Sequence, residues 1–235
     1  FIMVDAMYIR VREEHRVKSK ALFVAIGFNK SGRREVLGFD VYDNESKETW
    51  TAFFESLKNR GLTGVDVITS DAHEGIRESV KTCFPQSCWQ RCQAHFTRNI
   101  VDKCPKKYSS GLASELSLAF NSVTYEEARK LKNQIYDDYL DVAPEAMKIL
   151  DEGFEDCMTV MVLPQPIRVA LRTTNILERE NKEIRKREKV IQIFPNVESV
   201  IRLIGAVLID DHNDWASRNR SFNMQEYFEQ QEEFR

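Results

Sequence analysis

Three carboxylates, Asp5, Asp71 and Glu178, stand where acid chemistry has a physical motive. Asp5 lies on the strand face that carries Met3, Met7 and Ile9. A carboxylate among apolar neighbours costs several kcal/mol unless it is paired or binds a metal. The plain alternative is an aspartate that faces solvent or pairs with an arginine. Asp71 follows the apolar run at residues 65–70. In open α/β sheets, ligands gather outside the carboxyl ends of strands. Its alternative role is the N-cap of a helix starting near Ala72, with Glu74 three residues on. Glu178 shares a helical stripe with Lys182, Arg185 and Lys189, so it could be a metal ligand beside a phosphate-facing surface. Its alternative is a surface Glu–Lys pair four residues apart. Residue types and spacing leave both readings open at each position.

A second group is sulfur- and nitrogen-bearing. Cys88, Cys92 and His95 fall within eight residues, flanked by Cys83 and Cys104. Cys92-Gln93-Ala94-His95 has a spacing found in zinc sites, but no second close pair of ligands completes it. Reduced core or hydrogen-bonded side chains are the expectation, and zinc is not.

The elements that must position these groups follow from periodicity. Residues 1–12 have β-type composition, and residues 21–28 form an unbroken apolar run typical of a strand buried on both faces. Residues 35–42 alternate. Short connections join the three, so they predict an antiparallel meander. Trp50, Phe53, Phe54 and Leu57 then repeat at helical spacing, and Gly61 is a stop. Residues 65–70 predict a fourth strand, a helix follows, and residues 87–91 predict a short fifth strand. From Gln93 the pattern is helical. Thr124-Tyr125-Glu126-Glu127 is a capping-box pattern, Pro144 opens another helix, and Pro164 and Pro166 break the pattern. A charged helix runs from Thr173 or Thr174 to about Lys189, and a last helix from about Val197 to His212. A strand–helix–strand crossover makes parallel neighbours, so the sheet is predicted to be mixed.

Composition sets outer bounds. The chain has 235 residues, 42% of them hydrophobic, enough for one large domain or one domain with an insertion. A net charge of −3 argues against nucleic-acid binding by bulk charge alone. Charge is local instead: residues 172–189 hold seven Lys/Arg against four Asp/Glu. Such a helix either follows a phosphate backbone or is a solvated face laced with ion pairs. Neither apolar run, at residues 21–28 and 200–209, approaches the ~20 residues a membrane helix needs. Five cysteines without a secretion signal predict reduced thiols and a cytoplasmic setting. A chain that starts inside an apolar strand, Phe1-Ile2-Met3-Val4-Asp5, predicts missing upstream domains.

Four strings in order resemble one family. The segment Thr173-Thr174-Asn175-Ile176-Leu177-Glu178-Arg179-Glu180-Asn181-Lys182-Glu183-Ile184-Arg185 resembles the third catalytic signature of Mutator-type DDE transposases, in their bacterial insertion-sequence branch. Ser70-Asp71-Ala72-His73-Glu74-Gly75-Ile76 resembles the second, and Val4-Asp5-Ala6-Met7-Tyr8 the first. Trp89-Gln90-Arg91-Cys92-Gln93-Ala94-His95-Phe96 resembles the family's Cys-x-x-His signature. The likeness spans residues 1–214.

The resemblance implies an α/β, RNase H-like fold: a mixed five-stranded sheet flanked by helices, with an α-helical insertion before the helix of the third acid. It divides the chain into core at 1–92, insertion at 93–166, core at 167–214 and a C-terminal tail at 215–235, without the N-terminal DNA-binding region. It implies that Asp5, Asp71 and Glu178 bind two Mg²⁺ or Mn²⁺ ions, for which oxygen ligands are suited. Two such ions activate the attacking oxygen and stabilise the leaving one. Water would free a 3′-OH at a transposon end, and that 3′-OH would join target DNA. Arg179, Lys182, Arg185 and Lys189 would contact phosphates. Cys92, His95, Trp89, Asn175 and Asn181 belong to the matching strings without an assigned role, and Glu183 is not the catalytic glutamate. The implied partners are double-stranded DNA and further copies of the chain, in a bacterial cytoplasm and on the nucleoid when DNA is bound. Two other readings remain: a different RNase H-like nuclease, and a domesticated or inactive remnant that binds DNA or protein.

Overall fold

The computed structural model describes residues 1–233. In chain order the elements are β1 (Ile2–Glu13), β2 (Arg16–Phe28), β3 (Arg34–Tyr42), α1 (Lys47–Asn59), β4 (Val67–Ser70), α2 (Glu74–Cys83) and β5 (Cys88–Arg91). Five helices follow: α3 (Gln93–Val101), α4 (Lys106–Phe120), α5 (Tyr125–Tyr139), α6 (Pro144–Gly153) and α7 (Gln165–Leu171). Then come α8 (Asn175–Ile191), α9 (Val197–Ser217) and α10 (Gln225–Glu233). The chain forms two compact units, a sheet unit (Phe1–Trp89 with Thr174–Arg235) and a helical unit (Gln90–Thr173).

The sheet order is β3-β2-β1-β4-β5. β1 and β2 pair antiparallel from Ile2↔Gly27 to Glu13↔Arg16, and β4 runs parallel to β1. The sheet is therefore mixed and five-stranded, with flanking helices, an RNase H-like arrangement. One prediction needs correction: β2 begins at Arg16, not Ala21. Glu14 and His15 make the two-residue turn at φ 48° and 63°. Positive φ at both central residues matches the twist of the two strands.

The two faces of β1 have different uses. Ile2 and Val4, with Phe23 and Ala25 of β2, pack on Trp50, Phe53 and Phe54 of α1 and on Ile76 of α2. Phe23 stacks on Trp50 with ring centroids 3.8 Å apart. Side chains alternate along a strand, so Met3, Asp5 and Met7 point to the opposite face, where α8 meets β1. The chain leaving α8 is pinned there as well: Phe194 N–H donates to Arg10 O, and Arg12 N–H to Phe194 O.

α9 extends to Ser217 rather than stopping at His212. Within the segment expected to be a tail, Phe222, Met224 and Tyr227 are buried in the sheet unit. Phe222 lies 4.8 Å from the Phe28 ring and Tyr227 meets Phe1 edge-on at 5.1 Å. Gly32, at φ 74°, makes this docking possible. Any Cβ there would lie 2.1 Å from Phe222 O, and Gly32 O accepts the N–H of Ser221.

The helical unit has its own apolar centre, including Phe96, Leu116, Ile135, Met147, Leu150 and Phe154. Thr124 caps α5 by accepting from Glu127 N–H, while Glu127 reaches back to Val123 N–H rather than to the cap residue. Pro164 and Pro166 start α7 instead of interrupting a helix, because the first turn tolerates a missing N–H.

Candidate active site

Asp5 is half-buried in the middle of β1. Its Oδ1 accepts Ala6 N–H at 3.0 Å, and its Oδ2 accepts Asn181 Nδ2 of α8 at 2.8 Å. α8 and β1 run side by side in the same sense, with Asn181 opposite Asp5 and Phe194 bridged to Val11.

Asp71 directly follows β4, the strand parallel to β1. β1 and β4 pair in parallel at Ile2↔Ile68 and Met3↔Thr69. Asp5 and Asp71 each lie two residues past that last pair, beside the carboxyl end of β4. The helix-cap prediction is corrected: α2 begins at Glu74, its cap residue is His73, and no side chain caps it. Asp71 Oδ1 accepts His73 N–H at 3.1 Å, a turn that holds its carboxylate short of the helix. Behind it, Trp89 Nε1 donates to Ser70 Oγ at 2.9 Å, and Ser70 Oγ donates to Asp71 O at 2.8 Å. The Arg77 guanidinium covers the Trp89 ring at 4.7 Å. Glu45 Oε2 approaches His73 Nε2 at 3.6 Å. Burial raises the Glu45 carboxyl above its ordinary value; His73 opposes that and the charge of Asp71 adds to it.

Glu178 stands half-buried in the first turn of α8, three residues before Asn181 and therefore on an adjoining part of the same face. Lys182, Arg185 and Lys189 line its stripe and are exposed, as is Arg179 one position on. Arg185 lies 3.8 Å from Glu188. Glu183 is engaged by Lys186 and Arg187, whose hydrogen bonds hold its carboxyl below the ordinary value. Asn175 is the exposed first residue of α8.

The sequence profile described as "Transposase, Mutator family" matches residues 1–218. The chain belongs to this transposase family. It is 45% identical over 224 residues to the transposase for insertion sequence element IS256 in transposon Tn4001 of Staphylococcus aureus, covering 94% of this chain and 57% of that protein. It is 35% identical to the transposase for insertion sequence element ISRM5 of Rhizobium meliloti, covering 95% of the chain and 56% of the relative. It is 33% identical to the transposase for insertion sequence element IS1081 of Mycobacterium tuberculosis, at 96% and 54%. The chain thus spans rather more than half the length of these curated relatives.

In this Mutator-family chain the donor set suits a hard divalent cation: carboxylates only, with a buried amide oxygen, Asn181 Oδ1, that makes no hydrogen bond beside them. Among the described residues, no three His, Cys, Asp or Glu side chains stand close enough to hold an ion as placed. The fold brings Asp5 and Asp71 to neighbouring strands and carries Glu178 on the helix that contacts Asp5. A cleft of about 740 Å³ lies elsewhere, lined by Phe1, Gly27, Leu62, Asp66 and Tyr227 at the amino ends of β1 and β4, and contains none of the three acids.

Sequence reasoning assigned no role to Asn181 and did not single out Glu180. Both fall on the stripe of Leu177 and Ile184 and are 8% exposed. A polar residue on an apolar stripe was the available signal. Glu180 is pushed up to about 7, first by burial and then by its hydrogen bond to Asp211 and that residue's charge, with Arg34 opposing. Arg34 stacks over Trp215 at 3.8 Å. In the helical unit, Cys92 is the buried N-cap residue of α3 and His95 lies in its first turn, half-buried. Burial raises the nearby Cys157 thiol well above its ordinary value, which favours its protonated form. Among the described residues no helix is long and apolar enough to cross a membrane.

Proposed function

We propose that this chain is the catalytic part of a DDE transposase that cuts DNA at element ends and joins the 3′ ends to target DNA. The observation that supports the reading is the arrangement around β1. Asp5 and Asp71 each lie two residues past the last parallel pair of β1 and β4, and α8, which bears Glu178, is hydrogen-bonded to Asp5. Asp5, Asp71 and Glu178 would hold two Mg²⁺ or Mn²⁺ ions, which supply activation of the attacking oxygen and charge stabilisation of the leaving one.

The chain's own residues do the rest. The half-buried setting of Asp5 limits water around the carboxylate and strengthens its pull on a cation. The turn at Asp71–His73 and the Trp89–Ser70 pair hold the second carboxylate at the strand end. Arg179, Lys182, Arg185 and Lys189 form a basic face on α8 that can neutralise phosphates and orient a duplex without reading its bases. The relatives named as insertion-sequence transposases support DNA ends as the substrate.

The test uses the full-length protein and a plasmid carrying the element's terminal repeats. Strand cleavage and joined products should appear with Mg²⁺, vanish with chelator and vanish in Glu178→Gln. Cleavage that persists with chelator or in Glu178→Gln would overturn the assignment.

A further inference from the structure

We propose that Asn181 is a positioning residue for Asp5: its buried amide fixes the carboxylate in the orientation from which it receives a divalent ion. This rests on the ion-dependent reading given above. Leu177, Asn181 and Ile184 are spaced i, i+4 and i+7, so Asn181 occupies a core position of α8. Leu177 and Ile184 are fully buried, and Asn181 is 8% exposed. An apolar side chain at that place would bury well, whereas an amide costs about 1–3 kcal/mol for each polar atom left unsatisfied. Asn181 has one such atom, because Oδ1 is buried without a partner. Helix packing therefore gives no reason for an asparagine. Its other end does: Nδ2 donates to Asp5 Oδ2 at 2.8 Å.

The chemistry of the donor matters. A lysine or arginine here would compensate the Asp5 charge and compete with a cation. A neutral amide donor holds one oxygen of an ionised carboxylate and leaves its charge for the ion, as hydrogen-bonding partners of metal ligands commonly do. Asp5 Oδ1 accepts the N–H of the next residue, a local contact. The Asn181 bond ties the carboxylate to a second element. Because Glu178 lies one turn earlier on α8, the same bond sets the spacing between two of the acids. The buried Oδ1 has no hydrogen-bond partner here, and water carried by an ion would supply one when the site is loaded.

The experiment is a calorimetric Mn²⁺ titration of this chain, with thermal midpoints measured without metal. The variants are Asp5→Asn, Asn181→Leu and Asn181→Ala, the last in case leucine does not fit. The expected result is Mn²⁺ binding by the unsubstituted chain, none in Asp5→Asn, and binding weakened about tenfold or more in both Asn181 variants. The metal-free midpoints of those variants should not account for the loss. If both Asn181 variants fold and bind like the unsubstituted chain while Asp5→Asn does not, Asn181 only packs and the proposal fails with the ion reading intact. If the unsubstituted chain binds no Mn²⁺, or Asp5→Asn binds equally, the ion reading fails and takes the proposal with it.

Discussion

Both units bury side-chain amides, and they complete them differently. In the helical unit, Gln90 Nε2 donates to Cys157 O at 2.8 Å and Gln90 Oε1 accepts Val160 N–H at 3.0 Å. Gln93 Nε2 donates to the same carbonyl at 2.9 Å. Both ends of Gln90 are used, and the network stitches the start of the unit to its later segment. In the sheet unit, Asn181 donates to Asp5 but leaves Oδ1 unbonded, Asp211 Oδ2 is buried without a partner, and Glu180 is held protonated to an unusually high pH. A closed network stabilises one arrangement. An open one beside carboxylates costs stability and leaves room for an occupant. This difference supports placing the proposed site in the sheet unit.

Substitutions should separate the two. Asp71→Asn in the full-length protein should lower Mg²⁺-dependent strand cleavage by more than about a hundredfold, since several kcal/mol of charge stabilisation go with the ligand. Its thermal midpoint should barely move. Retained cleavage would dissolve the contrast. Gln90→Ala should do the reverse, destabilising by about 1–3 kcal/mol because the Val160 N–H loses its acceptor. Urea unfolding measures that, and cleavage per folded molecule should remain.

Glu180 gives a pH signature. Its carboxyl is raised from 4.5 to about 7, so between those values the folded chain keeps a proton that the unfolded chain has lost. The stability it contributes is full below about 4.5 and is lost as the pH rises through about 7. Glu180→Gln should flatten that fall and be the more stable form at pH 8, read from thermal midpoints at pH 5 and 8 in chelator. An unchanged pH profile would show that the pair is not buried as described. The smallest effect belongs to the basic face. Lys182→Ala should weaken DNA binding across sequences and reduce its salt-dependence slope by about 1. An unaltered slope would remove Lys182 from the interface.

Much of the sheet unit was legible because packing imposes short periods. Trp50, Phe53, Phe54 and Leu57 all lie buried on one face of α1, and residues 21–28 are buried on both sides. The polar half of the β1–β2 hairpin was not legible. Arg16 and Lys18 carry no apolar alternation, and Glu14-His15 is not a turn pair that announces itself, although both adopt positive φ. The short helix at Pro164–Pro166 was obscured because proline marks a helix start as readily as a break. At the site, the three acids could be singled out only as candidates. Their spatial relation depends on pairings 66 residues apart in sequence at Ile2↔Ile68, and on a contact between Asp5 and Asn181 across most of the chain. Local spacing encodes neither. Glu180 and Asn181 were readable as polar residues on an apolar stripe, but which partner completes each depends on β1 and α9.

The central claim is that Asp5 and Asp71 form one cation site with α8 closing over it. Crystals of this chain soaked in Mn²⁺ and measured at the manganese absorption edge test it directly. The account predicts an anomalous peak between the Asp5 and Asp71 carboxylates. Manganese bound elsewhere, with those two carboxylates bare, would contradict it.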